Sequence, residues 1–153
     1  MLEVVRAVVQ ACGAQRVGIR LSPYGRANDS GEADQMPHYS YLIAQLDTMG
    51  LAYLHLIEPR ASGAGQAEVD HQNVPSAAQL FRKAWRGTLI AAGNFRADSA
   101  NAIAFGRLFI SNPDLPHRLR TNAELTPYNR ATFYGGGVEG YLDYLVLDQQ
   151  KSK

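Results

Sequence analysis

The feature that most constrains the fold is a regular alternation between helical stripes and short apolar strands. Apolar residues recur at helical spacing in three segments, at 2–12, 39–46 and 77–85. A short apolar run follows each segment, at 16–21, 51–57 and 88–92. This order is typical of a parallel α/β fold, because each helix carries the chain back to the start of the next parallel strand.

The fourth predicted strand interrupts this alternation. The apolar run 102–105 follows 89–92 after residues 93–101 alone. A parallel return takes about a dozen residues or more. We therefore predict either that the fourth strand is not parallel to the third, or that the crossover between them has been shortened.

Each of these last two strands ends at a glycine. Gly93 and Asn94 follow the third strand, and Gly106 and Arg107 follow the fourth. Backbone N–H groups in two neighbouring glycine turns can bind one phosphate, since glycine lets an anion approach the main chain. The plainer interpretation, which the pattern by itself slightly favours, is that both glycines only turn the chain. Arg107 is then equally well explained as a solvated cation.

Three other polar residues lie among apolar ones. Arg20 interrupts an apolar strand and must point to water, to a carboxylate or to a ligand. His55 lies mid-strand, and we predict a core histidine with satisfied hydrogen bonds rather than a catalyst. Cys12 lies on the apolar side of the first helix, which predicts a buried, inert thiol. The other histidines lack the spacing of metal ligands, so no metal site is predicted.

Composition narrows the class of protein. The 153 residues are enough for one domain. A net charge of +1 gives no reason to expect nucleic acid or an anionic membrane as a partner. The start of the chain does not resemble a signal peptide, and no apolar run approaches the roughly 20 residues of a membrane span. We therefore expect a cytoplasmic protein that does not bind membranes.

Several longer stretches, in order along nearly the whole chain, carry a family resemblance. They include RVGIRLSPY at 16–24, YLHLIEPR at 53–60, FRKAWRGTLIAAG at 81–93 and FGRLFISNPDLP at 105–116. These stretches resemble the old yellow enzymes, most closely the plant 12-oxophytodienoate reductases. That family forms an FMN-containing (β/α)₈ TIM barrel and reduces the C=C bond of α,β-unsaturated carbonyls with NADPH. The resemblance implies one partial domain, residues 1–153, with the α/β fold of the C-terminal half of the barrel. It would hold about four parallel strands, with the last crossover helix shortened or lost.

The resemblance also assigns roles to individual residues. Arg20 would place positive charge near the N1–C2=O edge of the flavin, which favours the anionic reduced ring. Four residues would bind the FMN phosphate: Gly93, Asn94, Gly106 and Arg107. Arg60 and Tyr134 would line the substrate side of the pocket.

No residue here matches the family's general-acid tyrosine or its His-Asn or His-His pair, so no catalytic residue is predicted. We expect an NADPH-dependent ene-reductase of oxylipin-like enones by descent, with little or no activity in the isolated chain. One alternative is a non-catalytic half-barrel that associates with itself or with another protein through its exposed edges. A weaker alternative is a plain phosphate binder built on the two glycines.

Overall fold

The computed structural model describes residues 1–25, 31, 33–59, 76–93, 100–133 and 135–150. Its contacts divide the chain into two units, Met1–Ala104 and Phe105–Lys153. The first unit contains a four-stranded sheet, and the described residues of the second form helices and turns. Within these described parts of the chain, no helix has the length and apolar character needed to cross a bilayer.

The sheet of the first unit consists of four parallel strands in the order β1-β2-β3-β4. The strands are β1 Gly18–Leu21, β2 Tyr53–Ile57, β3 Leu89–Ala92 and β4 Ala102–Ala104. The predicted parallel α/β arrangement with four strands is confirmed. Because β4 runs parallel to β3, residues 93–101 make the whole connection between them. The shortened crossover is therefore the correct one of the two alternatives.

Three helices belong to the first unit. They are α1 Leu2–Cys12, α2 Gln35–Asp47 and α3 Ala77–Phe81. Gly13 follows α1 with φ +83°, a backbone angle that glycine adopts at little cost. The third helix is shorter than predicted, because a 3₁₀ turn, Arg82–Ala84, replaces its last turn.

Alternate residues of the strands form the core. Leu54, Leu56 and Leu89 are completely buried, and they pack with Phe81 and Trp85 in one apolar cluster. Successive strand residues point to opposite faces, so this cluster lies on one face of the sheet. The other face is called here the open face, because its side chains are exposed or only partly buried. Its residues are Gly18, Arg20, Tyr53, His55, Ile57, Ile90, Ala92, Ala102 and Ala104.

The first helix buries little of its apolar surface. Val5 is its one buried residue, whereas Val4 and Val8 are 65% and 41% exposed. Cys12 lies on the same outward side, one helical turn beyond Val8, and is also exposed. The prediction of a buried Cys12 is therefore wrong. Apolar residues occur on two sides of α1, and only the side of Val5 meets the core.

The second unit contains α4 Arg107–Ser111, α5 Leu115–Thr121, a 3₁₀ turn Arg130–Thr132 and α6 Leu147–Gln150. Arg118 is buried in it with 1% of its side chain exposed. Its guanidinium donates to Asp114 Oδ1 at 2.7 Å, to the Glu124 carbonyl at 2.9 Å and to the Leu145 carbonyl at 3.1 Å. A buried charge with these partners ties α5 to two later segments.

Candidate functional site

The open face brings Arg20 and His55 together. They are register partners on the neighbouring strands β1 and β2, so their side chains leave the sheet side by side. The preceding pair on this face is Gly18 and Tyr53. The Tyr53 ring occupies the space where a Cβ of residue 18 would lie, so only glycine fits at that position.

Arg20 is an exposed cation in the middle of a strand. It forms no hydrogen bond or ion pair with any residue that the structure describes. The sequence left water, a carboxylate or a ligand as the partner of Arg20. Among the described residues, no carboxylate pairs with it, so they give no support to a structural ion pair. Its guanidinium offers five N–H donors in a fork that suits a planar oxygen-bearing ligand.

His55 is half-buried beside this cation. Its Nε2 atom is buried and has no hydrogen-bond partner. Burial lowers the pKa of His55, and the positive charge of Arg20 lowers that pKa further. The prediction of a satisfied core histidine is wrong at Nε2, because Arg20, Tyr53 and Ile90, its neighbours on the open face, give it no hydrogen bond.

Glu58 is a buried carboxylate that the sequence analysis missed. It follows β2 directly and is 4% exposed. Its oxygens accept hydrogen bonds from Ser76 Oγ at 2.9 Å, Ala77 N at 2.7 Å and Ala78 N at 3.1 Å. It thus binds the first N–H groups of α3 and joins the end of β2 to the start of α3. Two features of the sequence could have identified it: Glu58 comes directly after a buried strand, and the next helix begins at an N-cap serine, Ser76.

The carboxylate of Glu58 also affects a nearby tyrosine. Burial raises the pKa of the Tyr24 hydroxyl, and the negative charge of Glu58 raises it further. Tyr24 follows β1, and Glu58 follows β2, so both belong to the carboxyl ends of the strands. In parallel α/β proteins, these ends carry the ligand sites.

Gly93 ends β3 in the first unit with φ +103°. This backbone angle favours glycine, so the turn after β3 is one that the sequence correctly located. Asn94 lies outside the described residues, as do Arg60 and Tyr134, so their predicted roles stay predictions.

Gly106 and Arg107 begin α4 in the second unit. The φ of Gly106 is −108°, and among the described residues, its own chain neighbours aside, no heavy atom lies within 4 Å of the place where its Cβ would be. Neither backbone angle nor local packing therefore requires glycine there. Arg107 donates to Tyr128 Oη at 3.2 Å, and its guanidinium lies 5.5 Å from the centre of that ring. It is consequently not the solvated cation of the plainer interpretation, although a joint phosphate site with Gly93 stays a prediction.

Comparison with known proteins places this geometry in a family. A sequence profile of the NADH:flavin oxidoreductase / NADH oxidase family matches residues 1–126. The chain belongs to this family. The expected relationship to old yellow enzymes and 12-oxophytodienoate reductases is thereby confirmed.

Curated relatives of the NADH:flavin oxidoreductase family match almost the whole chain. Flavin oxidoreductase hxnT of Emericella nidulans is 41% identical over 94% of this chain and 44% of its own length. The 12-oxophytodienoate reductase 2 of Arabidopsis thaliana is 40% identical over 96% of this chain and 41% of its own length. The chain thus spans less than half the length of either relative.

Solved structures of the same family share the fold. Morphinone reductase superposes with a TM-score of 0.77 at 39% identity, over 99% of this chain and 42% of the enzyme. The old yellow enzyme from Trypanosoma cruzi gives a TM-score of 0.79 at 26% identity, over 95% of this chain and 39% of the enzyme. The four parallel strands therefore correspond to half of a TIM barrel.

The family uses FMN with NAD(P)H as the reductant. Two observations of the first unit fit that cofactor. Arg20 presents on the open face a guanidinium that no described residue pairs with, and Gly93 makes a glycine turn at the carboxyl end of β3. A cation for the ring and a glycine turn for a phosphate are the groups that such a cofactor needs.

Proposed function

We propose that this chain is the flavin-binding half of a 12-oxophytodienoate reductase-like ene-reductase, acting on α,β-unsaturated carbonyls of the oxylipin type. The observation that carries the proposal is the exposed Arg20 on the open face of a half-barrel sheet, which forms no hydrogen bond or ion pair within the described parts of the chain. Bound FMN, reduced by NADPH, supplies the hydride for the C=C bond. The residues of this chain hold that cofactor and part of the substrate.

Arg20 contributes charge to the flavin site. A fixed guanidinium beside the N1–C2=O edge stabilises negative charge there, and thereby favours the reduced ring. The neighbouring positions on β2 and β3 are His55, Ile57 and Ile90. These side chains provide a mostly apolar floor for a flat ring.

Gly93 with Asn94, and Gly106 with Arg107, bind the phosphate in this proposal. Support comes from the parallel pairing of β3 and β4, because the segments after both strands start from the same edge of the sheet. Further support comes from Gly106, where no local feature of the fold explains a glycine. Room for an anion at the main chain explains it.

Arg60 and Tyr134 face the substrate in the same proposal. Arg60 comes shortly after Glu58, whose three hydrogen bonds hold the start of that segment against α3. Glu58 is therefore a positioning residue for the substrate side. A proton donor and a binding pair for the carbonyl oxygen have no match in this chain, so we expect these 153 residues by themselves to turn over enones poorly.

The test is to purify the chain and measure flavin absorbance, FMN affinity and NADPH oxidation with cyclohexenone. We expect a yellow protein, or a colourless one that takes up added FMN, with little or no NADPH oxidation. Calorimetry with FMN and with inorganic phosphate distinguishes a flavin site from a plain phosphate site. A protein that binds no FMN would end the proposal.

A second candidate function is association without catalysis. The open face is exposed, β1 and β4 are the outer strands of the described sheet, and Val4 and Val8 of α1 face outward. Uncovered parallel sheets are rare, because both faces and both edges offer groups for pairing. Sedimentation showing a monomer at working concentrations would contradict self-association, and a second barrel half would then be the remaining partner.

A further inference from the structure

An unpaired nitrogen adjoins an unpaired cation on the open face. His55 Nε2 is buried without a hydrogen-bond partner, and Arg20, its register partner, has none among the described residues. A buried polar atom that stays unpaired is unfavourable. Arg20 is itself exposed, so this cost belongs to His55 alone. The unpaired nitrogen beside a cation indicates that a third group belongs between them.

The surroundings define the charge of that third group. The ionisable side chains that face His55 among the described residues are Arg20 from β1 and Tyr53 from β2 itself. The neighbouring positions of β3 and β4 carry Ile90 and Ala102, which have no charge. The helices pack on the opposite face. No described carboxylate faces this pair, so an anion is the ligand that would complete it.

We propose that Arg20 and His55 form one anion site, in which His55 takes up a proton at Nε2 as a conjugated oxyanion binds to Arg20. The ligand that we assign to it, the N1–C2=O edge of reduced flavin, rests on the proposed function. That Arg20 and His55 form one site does not depend on the proposed function. In this site Arg20 is a binding residue and His55 provides a proton-dependent second contact.

The direction of the proton transfer follows from electrostatics. Without a ligand, burial and the charge of Arg20 keep His55 neutral near pH 7. A bound anion offsets the charge of Arg20 and accepts a hydrogen bond from Nε2–H, so both effects favour the imidazolium. Anion binding therefore takes up a proton, and the affinity rises as the pH falls. Each pKa unit that His55 gains corresponds to about a tenfold gain in affinity at low pH.

The experiment uses the full chain with labelled histidines and two probes. Benzoate is a flat conjugated oxyanion that needs no phosphate site, and reduced FMN is the proposed ligand. NMR titration between roughly pH 5 and 8 reports the pKa of His55, and calorimetry reports affinity at each pH. We expect saturating benzoate to raise that pKa, and benzoate affinity to increase at least tenfold from the high to the low end of the range.

Four variants separate this site from a structural effect. Arg20→Gln should abolish benzoate binding, and Arg20→Lys should retain it together with the proton uptake. His55→Gln should still bind benzoate, but with no pH dependence in this range. His117→Gln, at an exposed position of α5, should behave as the parent chain. Thermal unfolding of each variant identifies any that fails to fold, and the parent titration alone still tests the proposal.

Two outcomes would overturn it: no benzoate binding by the folded parent chain, or a pKa of His55 that is the same with and without benzoate. If benzoate gives the expected coupling but FMN does not bind, the anion site stands and the flavin function fails. If FMN binds and leaves the pKa of His55 unchanged on reduction, the flavin function stands and this assignment fails.

Discussion

Two buried charged residues, Glu58 and Arg118, connect segments whose helix and strand periodicity does not predict that they meet. Glu58 and Arg118 are both buried; Glu58 accepts three hydrogen bonds from residues 18 to 20 positions away, and Arg118 donates to Asp114 on its own helix and to the carbonyls of Glu124 and Leu145. Glu58 accepts N–H and O–H donors at the start of α3, whereas Arg118 donates to carbonyls of two later segments. Truncating either one removes several hydrogen bonds at once.

We expect Glu58→Ala to lower the free energy of unfolding by about 2 kcal/mol, because Ala77 N and Ala78 N lose their charged acceptor. Glu58→Gln keeps an acceptor and should lose less. Urea unfolding measures both, with Glu139→Gln as the control, since Glu139 is exposed. Equal stability of Glu58→Ala and the parent would contradict the role given to Glu58.

Removing the buried guanidinium should have a larger effect. We expect Arg118→Ala to cost about 3–5 kcal/mol, because Asp114 and the carbonyls of Glu124 and Leu145 lose the guanidinium that donates to them. Arg120→Ala on the same helix is the matched control, because Arg120 is exposed. Unfolding followed by circular dichroism compares the two variants. A loss no larger than that of Arg120→Ala would show that Arg118 does not organise the second unit.

A salt bridge between Asp47 and Arg86 connects two elements of the first unit. Asp47, the last residue of α2, accepts from Arg86 N and from Arg86 Nε, both at 2.7 Å. Burial alone would raise the pKa of Asp47, but these hydrogen bonds and the charge of Arg86 outweigh it, so the pKa lies below its usual value. The bond joins α2 to the segment that leads into β3.

A lowered carboxyl pKa makes stability depend on pH in one direction. The stabilising effect of Asp47 is complete above the pKa of the unfolded chain, about 4, and is lost as the pH falls through the lower folded value. We therefore expect Asp47→Asn to destabilise the chain at pH 7, and to reduce the loss of stability below pH about 4. Thermal unfolding across this range tests it. Asp34→Asn, at an exposed position, should leave the pH profile unchanged.

The sheet of the first unit has one covered face. Closed TIM barrels bury the inner face of their sheet, so the open face here shows what a half-barrel exposes. The outward side of α1 adds Val4 and Val8 to the exposed apolar surface. Such a surface promotes association when no other protein covers it.

We expect Val8→Glu to leave stability nearly unchanged and to reduce any self-association, because Val8 lies outside the core. Sedimentation velocity over a range of concentrations measures the effect. Gln10→Glu, at an exposed position on another side of α1, adds the same charge away from Val4 and Val8 and serves as the control. An identical shift in both variants would point to net charge, and association unaffected by Val8→Glu would exclude this side of α1 as the contact.

Much of the fold follows from the sequence alone. The alternation of helical stripes and apolar runs determined the parallel strands, and the stretches around Arg20, Gly93 and Gly106 identified the family. These features are local, because periodicity and turn chemistry act over a few neighbouring residues. The strand ends at Leu21, Ile57 and Ala92 were predicted for the same reason.

Only the tertiary structure decided which of these residues meet. It made β4 parallel to β3 across a short connection, placed Glu58 at the start of α3, and left His55 Nε2 unpaired beside Arg20. It also turned Cys12 outward, although its helical stripe looked apolar. Strand pairing and burial depend on contacts between residues far apart in the chain, and the spacing of residues within a segment carries no record of them.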